Sequence, residues 1–88
     1  MATSYTNVSL NAGWIDLTVA NTALANVPVV IQNLSNNSHV RVFFGGSSAP
    51  APNDGAMLGH GQSVDGTSAK IWARADSSAL IYTATKDT

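Results

Sequence analysis

Val27-Pro-Val-Val-Ile-Gln-Asn-Leu34, Ser35-Asn-Asn-Ser38 and His39-Val-Arg-Val-Phe-Phe44 form the stretch on which the fold prediction rests. Two apolar, β-branched runs flank the asparagine pair at its centre. Asparagine is the residue other than glycine that best tolerates the positive φ of a tight hairpin turn. The stretch therefore predicts a β-hairpin with a two-residue loop at Asn36-Asn37.

The predicted hairpin also fixes which side chains share a face. It places Ile31 opposite Val42, Val29 opposite Phe44, Val30 opposite Phe43, and Gln32 opposite Arg41. Because side chains alternate across a strand, the first two pairs lie on one face and the last two on the other. Neither face is fully polar. We therefore expect the core on one side, and a partner against Val30 and Phe43 on the other.

The rest of the chain predicts further short strands. Residues 14–19 alternate with Ile15, Leu17 and Val19 on one face, and one helical turn capped by Asn21 can follow. Two strands joined at Ser77-Ser78 are expected next, placing Ile71, Ala73 and Ala75 on one face with Leu80, Tyr82 and Ala84. Gly59–Ser63 and Asp65–Thr67 predict a link and a turn.

Turn signals every eight to twelve residues, without a convincing amphipathic helix, predict an all-β fold. We expect a small antiparallel sandwich or barrel-like domain of six to eight short strands. Residues 1–12 are predicted to be a polar N-terminal arm or edge strand, and residues 13–88 a single domain. A chain of 88 residues buries roughly 60–70% of the surface that it exposes when unfolded, so its core is modest.

Composition favours association with other chains. Charged residues make up 10% of the sequence, against about 25% in a typical domain, and the net charge is −1. Such a surface repels copies of itself weakly. Four basic residues are too few for a clustered phosphate-binding surface, which argues against nucleic acid. No apolar run approaches the ~18 residues of a membrane span, and no signal peptide is visible, so we expect synthesis in a cytoplasm.

Candidate catalytic and metal-binding residues are weak. His60, Ser63 and Asp65 are the residue types of a hydrolytic triad, but all three fall in one short link, whereas triad members come from separate elements. His39 and His60 lack the spacing of metal ligands, and the chain has no cysteine. The sequence therefore predicts no enzyme activity, no cofactor and no metal.

The aromatic residues are the stronger candidates. Trp14, Phe43 and Trp72 are predicted on the face opposite the main core, and with Val30 and Arg74 they form a predicted protein interface. Two alternatives remain open. In a small sandwich some of these rings can fill the core between the sheets. They can also stack on sugar rings, with Asp16, Gln32 and Arg41 as the available polar groups.

The order of motifs resembles the small all-β accessory virion proteins of tailed bacteriophages, namely capsid decoration (cement) proteins and fibre modules. The resemblance spans residues 13–84 and rests on Trp14-Ile-Asp-Leu-Thr18, Val30-Ile-Gln-Asn33, Val42-Phe-Phe44, Ser48-Ala-Pro50, Leu58-Gly-His-Gly-Gln-Ser63 and Ile71-Trp-Ala-Arg-Ala75. It implies a non-enzymatic β-sandwich subunit in the virion that assembles as a homo-oligomer, often a trimer. The polar start through Asn11 departs from that pattern.

The resemblance implies a decoration protein that binds between capsid subunits and stabilises the shell, with a capsid or tail protein as partner. The alternative is a carbohydrate- or receptor-binding module of a phage tail or head fibre. A small intracellular regulator of the host is a third reading, which the low charge and the repeated strand pattern disfavour.

Overall fold

The chain forms two antiparallel sheets in a computed structural model that describes residues 3–46, 48–51 and 54–86. The strands are β1 (Thr3–Ser4), β2 (Val8–Leu10), β3 (Ile15–Asp16), β4 (Val29–Asn33), β5 (Val40–Phe44), β6 (Ala56–Leu58), β7 (Ser63–Gly66), β8 (Ile71–Ala75) and β9 (Ala79–Thr85). Helix α1 (Leu17–Ala20) and a 3₁₀ turn (Thr22–Leu24) lie between β3 and β4. The predicted all-β fold is confirmed, with nine strands in the described residues instead of six to eight.

The first sheet has the order β1-β9-β4-β7, with β2 also pairing with β9, and the second has the order β3-β8-β5-β6. The barrel-like alternative is wrong because the two sheets are separate. Residues 3–10 belong to the first sheet, where β1 and β2 pair one after the other along β9. The apolar core between the sheets comprises Leu10, Leu17, Leu24, Val29, Ile31, Val40, Val42, Leu58, Ile71, Ala73, Ala75, Ala79 and Ile81.

The predicted hairpin at Asn36-Asn37 is wrong. Strand β4 pairs with β7 and β9, whereas β5 pairs with β6 and β8 in the other sheet. Residues 34–39 therefore form an arch that carries the chain from one sheet to the other. Among the described residues other than glycine, Asn26 alone has a positive φ, of 61°, so the asparagine pair does not form the tight turn. Ile31 and Val42 are buried as predicted, because alternation along each strand points them at the core whether the strands are joined by an arch or by a hairpin.

The connection at Ser77-Ser78 is also an arch. Strand β8 buries Ile71, Ala73 and Ala75, as predicted. Strand β9, however, buries Ala79, Ile81, Thr83 and Ala84, while Leu80 is exposed and Tyr82 half-buried. The predicted face for β9 was wrong because no hairpin sets its register against β8.

Strand β3 is two residues long. The predicted strand over residues 14–19 is therefore wrong. Asp16 Oδ1 accepts hydrogen bonds from the Thr18 backbone N–H at 2.9 Å and from the Thr18 hydroxyl at 2.6 Å. This cap starts α1, which buries Leu17 and leaves Val19 71% exposed. The helical turn after Asn21 is confirmed, because Asn21 Oδ1 accepts from the Ala23 N–H at 3.1 Å.

Residues 63–66 form β7, so the predicted turn beginning at Asp65 is wrong. Pairing of Val64 with Ile31 puts this strand in the first sheet, where its backbone completes the edge beside β4. The loop after β5 contains Ser47, Pro52 and Asn53, which lie outside the described residues.

The β4–β5 arch and strand β6 meet at Asn33, a fully buried amide at the end of β4. Its Nδ2 donates to the carbonyl oxygens of Ser38 at 2.9 Å and Leu58 at 3.0 Å. Its Oδ1 accepts from the Ser35 N–H at 2.9 Å. One side chain thereby satisfies three backbone groups from the β4–β5 arch and from β6.

The Asn33 backbone forms hydrogen bonds with the link between β6 and β7. Its N–H donates to the Gln62 carbonyl at 3.0 Å, and its carbonyl accepts from the Gly61 N–H at 2.8 Å. Gly61 has a φ of 78°, a conformation that glycine adopts without strain. Residues 59–62 carry the chain from β6 to β7, so this link between the sheets closes on the same residue.

We expect Asn33→Ala to lower the free energy of unfolding by about 2–4 kcal/mol, because it leaves buried backbone groups without partners. Urea denaturation measures the change. Asn36→Ala is the matched control, since Asn36 lies exposed in the same arch and should change stability by less than about 0.5 kcal/mol. Equal stability of the two variants would contradict this role of Asn33.

Candidate interaction face

The outer surface of the second sheet concentrates the large and basic side chains of the chain. Its strands bury alternate residues, so the residues between them point away from the core. We call this surface the aromatic–arginine face. It comprises Trp14, Asp16, Arg41, Phe43, Met57, Lys70, Trp72 and Arg74. Both tryptophans and three of the four basic residues of the sequence are in this set.

One row of the face is aromatic. Trp72 lies on β8 between Phe43 of β5 and Asp16 of β3, each its direct cross-strand partner. Trp72 Nε1 donates to the Gly46 carbonyl at 3.4 Å. Direct cross-strand neighbours are about 5 Å apart at Cβ, so the two rings form one apolar surface.

The adjacent row is cationic. Arg41 lies directly opposite both Arg74 and Met57 in the ladder. Arg74 Cζ lies 5.7 Å from the centre of the Trp14 ring system, which is within the range of a cation–π contact. Met57 is 52% exposed and borders the row on strand β6.

Asp16 and Lys70 bound the face on the side of α1. Lys70 Nζ lies 3.2 Å from Asp16 Oδ2, and the Asp16 side chain is 7% exposed. Burial by itself raises the pKa of Asp16. The hydrogen bonds from Thr18 and the ammonium of Lys70 outweigh that effect, so the pKa lies below the usual 3.8. The carboxylate therefore stays charged and holds the start of α1 against the second sheet.

Four of the five predicted interface residues come together. Trp14, Phe43, Trp72 and Arg74 share the aromatic–arginine face. Val30 does not join them, because it lies on the outer side of the first sheet, opposite Asp65 and Ala84.

Sequence reasoning did not place Met57 or Lys70 in this set. Met57 is the middle residue of a three-residue strand whose last residue, Leu58, is buried. That alternation was the available signal for an outward-facing Met57. Lys70 stands two residues before Trp72 at strand spacing, which was the corresponding signal on β8.

Of the catalytic candidates, His60 lies in the link before β7, and Ser63 and Asp65 lie on β7. Asp65 on β7 pairs with Lys86, whose Nζ lies 2.6 Å from Asp65 Oδ2, and this contact lowers the pKa of Asp65. No hydrogen bond or ion pair joins His60 to Ser63 or Asp65 within the described residues. In that same part of the chain, no group of three or more acidic, histidine or cysteine side chains could hold a metal ion.

A groove of about 380 Å³ opens beside the first sheet, between the β1–β2 connection and α1. Its walls include Tyr5, Val8, Leu17 and Leu24, and none of its lining residues is charged. It offers apolar surface and neutral amides, so nothing in it would orient a charged substrate. The aromatic–arginine face is the better candidate because it combines rings, cations and a fixed carboxylate.

No protein-family model, curated protein or solved structure matches this chain. Across the described residues, no helix has the length and apolar character needed to cross a membrane.

The lowered pKa of Asp16 predicts a pH-dependent contribution to stability. Asp16→Asn keeps an acceptor for Thr18 but removes the charge that faces Lys70, so we expect a loss of roughly 0.5–1 kcal/mol at neutral pH. A carboxylate whose pKa is lower in the folded state stabilises above its unfolded pKa of about 3.8, and the contribution disappears as pH falls through the folded value. Urea denaturation of both proteins between about pH 7 and pH 2.5 measures the difference.

Lys70→Met is the control, because it leaves Asp16 in place and removes the facing cation. Its stability difference from the wild type should shrink over the same acidic range. A difference between wild type and Asp16→Asn that stays constant across the whole range would contradict the assignment.

Proposed function

We propose that this protein is a non-enzymatic structural protein of a phage virion, most simply a capsid decoration protein that binds between capsid subunits through the aromatic–arginine face. One observation carries the proposal. A chain with 10% charged residues places both tryptophans and three of its four basic residues on one sheet surface. The resemblance of the motif order to that of small phage accessory proteins guides the choice of partner.

The residue types of this face suit protein recognition. Tryptophan, phenylalanine, methionine and arginine are enriched in protein interfaces, and a few such residues supply most of the binding free energy. Phe43, Trp72, Met57 and both arginines project from paired strands, and Trp14 directly precedes β3, so little backbone entropy remains to be lost on binding. The face is therefore preorganised for a large flat partner.

Shell stabilisation follows from mass action. A protein that binds assembled neighbouring subunits, and not the separated ones, lowers the free energy of the assembled state. Docking Trp72 and Phe43 across such a junction would bury ring surface that the isolated chain leaves partly in water. The mechanism is mechanical and thermodynamic, and it needs no chemical step.

We expect the protein to co-sediment with shells of the capsid protein encoded beside its gene. Trp72→Ala should weaken that binding at least about tenfold, since a central interface tryptophan contributes 2 kcal/mol or more. The matched control is Tyr82→Ala, which truncates a half-buried aromatic on the outer side of the other sheet. Circular dichroism confirms that both variants are folded.

Three outcomes would contradict the proposal. These are a gene without a neighbouring virion gene, a wild type that does not sediment with shells, and an equal loss of binding in the two alanine variants. The last outcome would point to lost stability and not to a lost contact.

A carbohydrate-binding module is the second candidate. The adjacent rings of Trp72 and Phe43 with Asp16 beside them resemble the platform and carboxylate of a sugar site. However, Asp16 is 7% exposed and already engaged by Thr18 and Lys70, so its oxygens are not offered to a ligand. Glycan binding that Trp72→Ala abolishes, without binding to shells, would favour this candidate.

The proposal includes self-association, and the resemblance favours a trimer. Stacking this face on itself would bring two positively charged faces together, which disfavours the contact. Copies should therefore meet through other surfaces. Sedimentation velocity should show an oligomer that persists in Arg74→Gln, whereas a monomer at every concentration tested would contradict self-association.

A further inference from the structure

Arg74 is held in place by an aromatic ring and not by an acid. Its guanidinium lies over Trp14, with Cζ 5.7 Å from the ring centre, and β8 fixes its backbone between β3 and β5. A guanidinium stacked on a ring keeps the N–H groups of its edge directed outward. No ion pair joins Arg74 to an acidic side chain among the residues that the structure describes. The ring contact thus restricts where the guanidinium lies before any partner arrives.

Of the two carboxylates near this row, Asp16 is engaged elsewhere. Asp16 accepts from Thr18 and faces Lys70 at 3.2 Å. Asp76, which follows β8, lies with Oδ2 3.4 Å from His39 Nδ1. The ladder places Arg41 directly opposite Arg74, so two guanidinium groups share this row.

The charges of the chain are also unevenly distributed. The aromatic–arginine face and its flanking Asp76 hold three of the four basic residues and two of the five aspartates. The rest of the sequence holds one basic residue and three aspartates. The face is therefore positive on a chain whose net charge is −1. Such a patch steers acidic partners toward itself and turns basic ones away.

We propose that Arg74, which lies over the Trp14 ring, receives a side-chain carboxylate from an acidic segment of the protein on which this face docks. The inference rests on the proposed function and names the chemistry of the partner. A carboxylate matches the planar fork of arginine with two parallel hydrogen bonds. Phe43 and Trp72 in the next row then cover apolar side chains beside the acid. A second copy of this chain docked face to face fails the requirement, because its own face presents arginine.

Two indole N–H signals allow a direct test by NMR, since the sequence has two tryptophans. Trp14→Phe assigns them. The probe is a ten-residue peptide with four central glutamates between glycine and serine, and the control peptide has serine in place of each glutamate. We expect a saturable shift of the Trp14 signal with the glutamate peptide alone, and a loss of that shift at high salt because the contact is electrostatic.

Variants distinguish a specific contact with Arg74 from attraction to the positive charge of the protein as a whole. Arg74→Gln should weaken peptide binding at least about tenfold, and Arg74→Lys should retain part of it as a point charge without the fork. Lys86→Gln removes a basic residue that pairs with Asp65 and should leave the shift unchanged. Equal shifts with the serine peptide, shifts that survive Arg74→Gln, or tighter binding of inorganic phosphate or duplex DNA would overturn the proposal.

The two proposals fail separately. Peptide binding without binding to shells would contradict the virion function and leave carboxylate recognition standing. Shell binding that Arg74→Gln leaves intact would contradict carboxylate recognition and leave the virion function standing.

Discussion

The hydrogen bonds of Asn33 decide how the two sheets are joined. A buried amide with its donors and acceptor all paired stabilises, whereas one that lost a partner would cost 1–3 kcal/mol. Its partners come from the β4–β5 arch, from β6 and from the link before β7. These segments must therefore leave their sheets at the same end of the sandwich. The amide thus specifies arches where apolar alternation alone allows hairpins.

The arch has a direct consequence for the outer surfaces. In a hairpin, Phe43 would stand beside Val30 in one sheet. Because β5 crosses to the second sheet, Phe43 stands beside Trp72 instead. The same crossing brings Arg41 opposite Arg74. The composition of the aromatic–arginine face thus depends on a connection some distance from it along β5.

Local patterns predicted which side of most strands faces the core, because alternation is a property of each strand alone. Val29, Ile31, Val42, Ile71 and Ala73 are buried as alternation requires. Pairing partners could not be predicted in the same way, since a short polar connection permits an arch or a hairpin. Three of the rings were predicted to face outward from single strands, and their convergence depended on the pairing.

Strand β8 points small side chains toward the core and large ones away from it. It buries Ala73 and Ala75 and turns Trp72 and Arg74 outward. A tryptophan can bury 150–250 Å² and an alanine far less. The isolated chain therefore buries less apolar surface than it would with the large side chains of β8 in its core. Small inward residues let the sheets approach closely, while large outward ones stabilise the protein fully only when another surface covers them. Such a distribution is what a subunit needs if its stability is to rise when it joins an assembly.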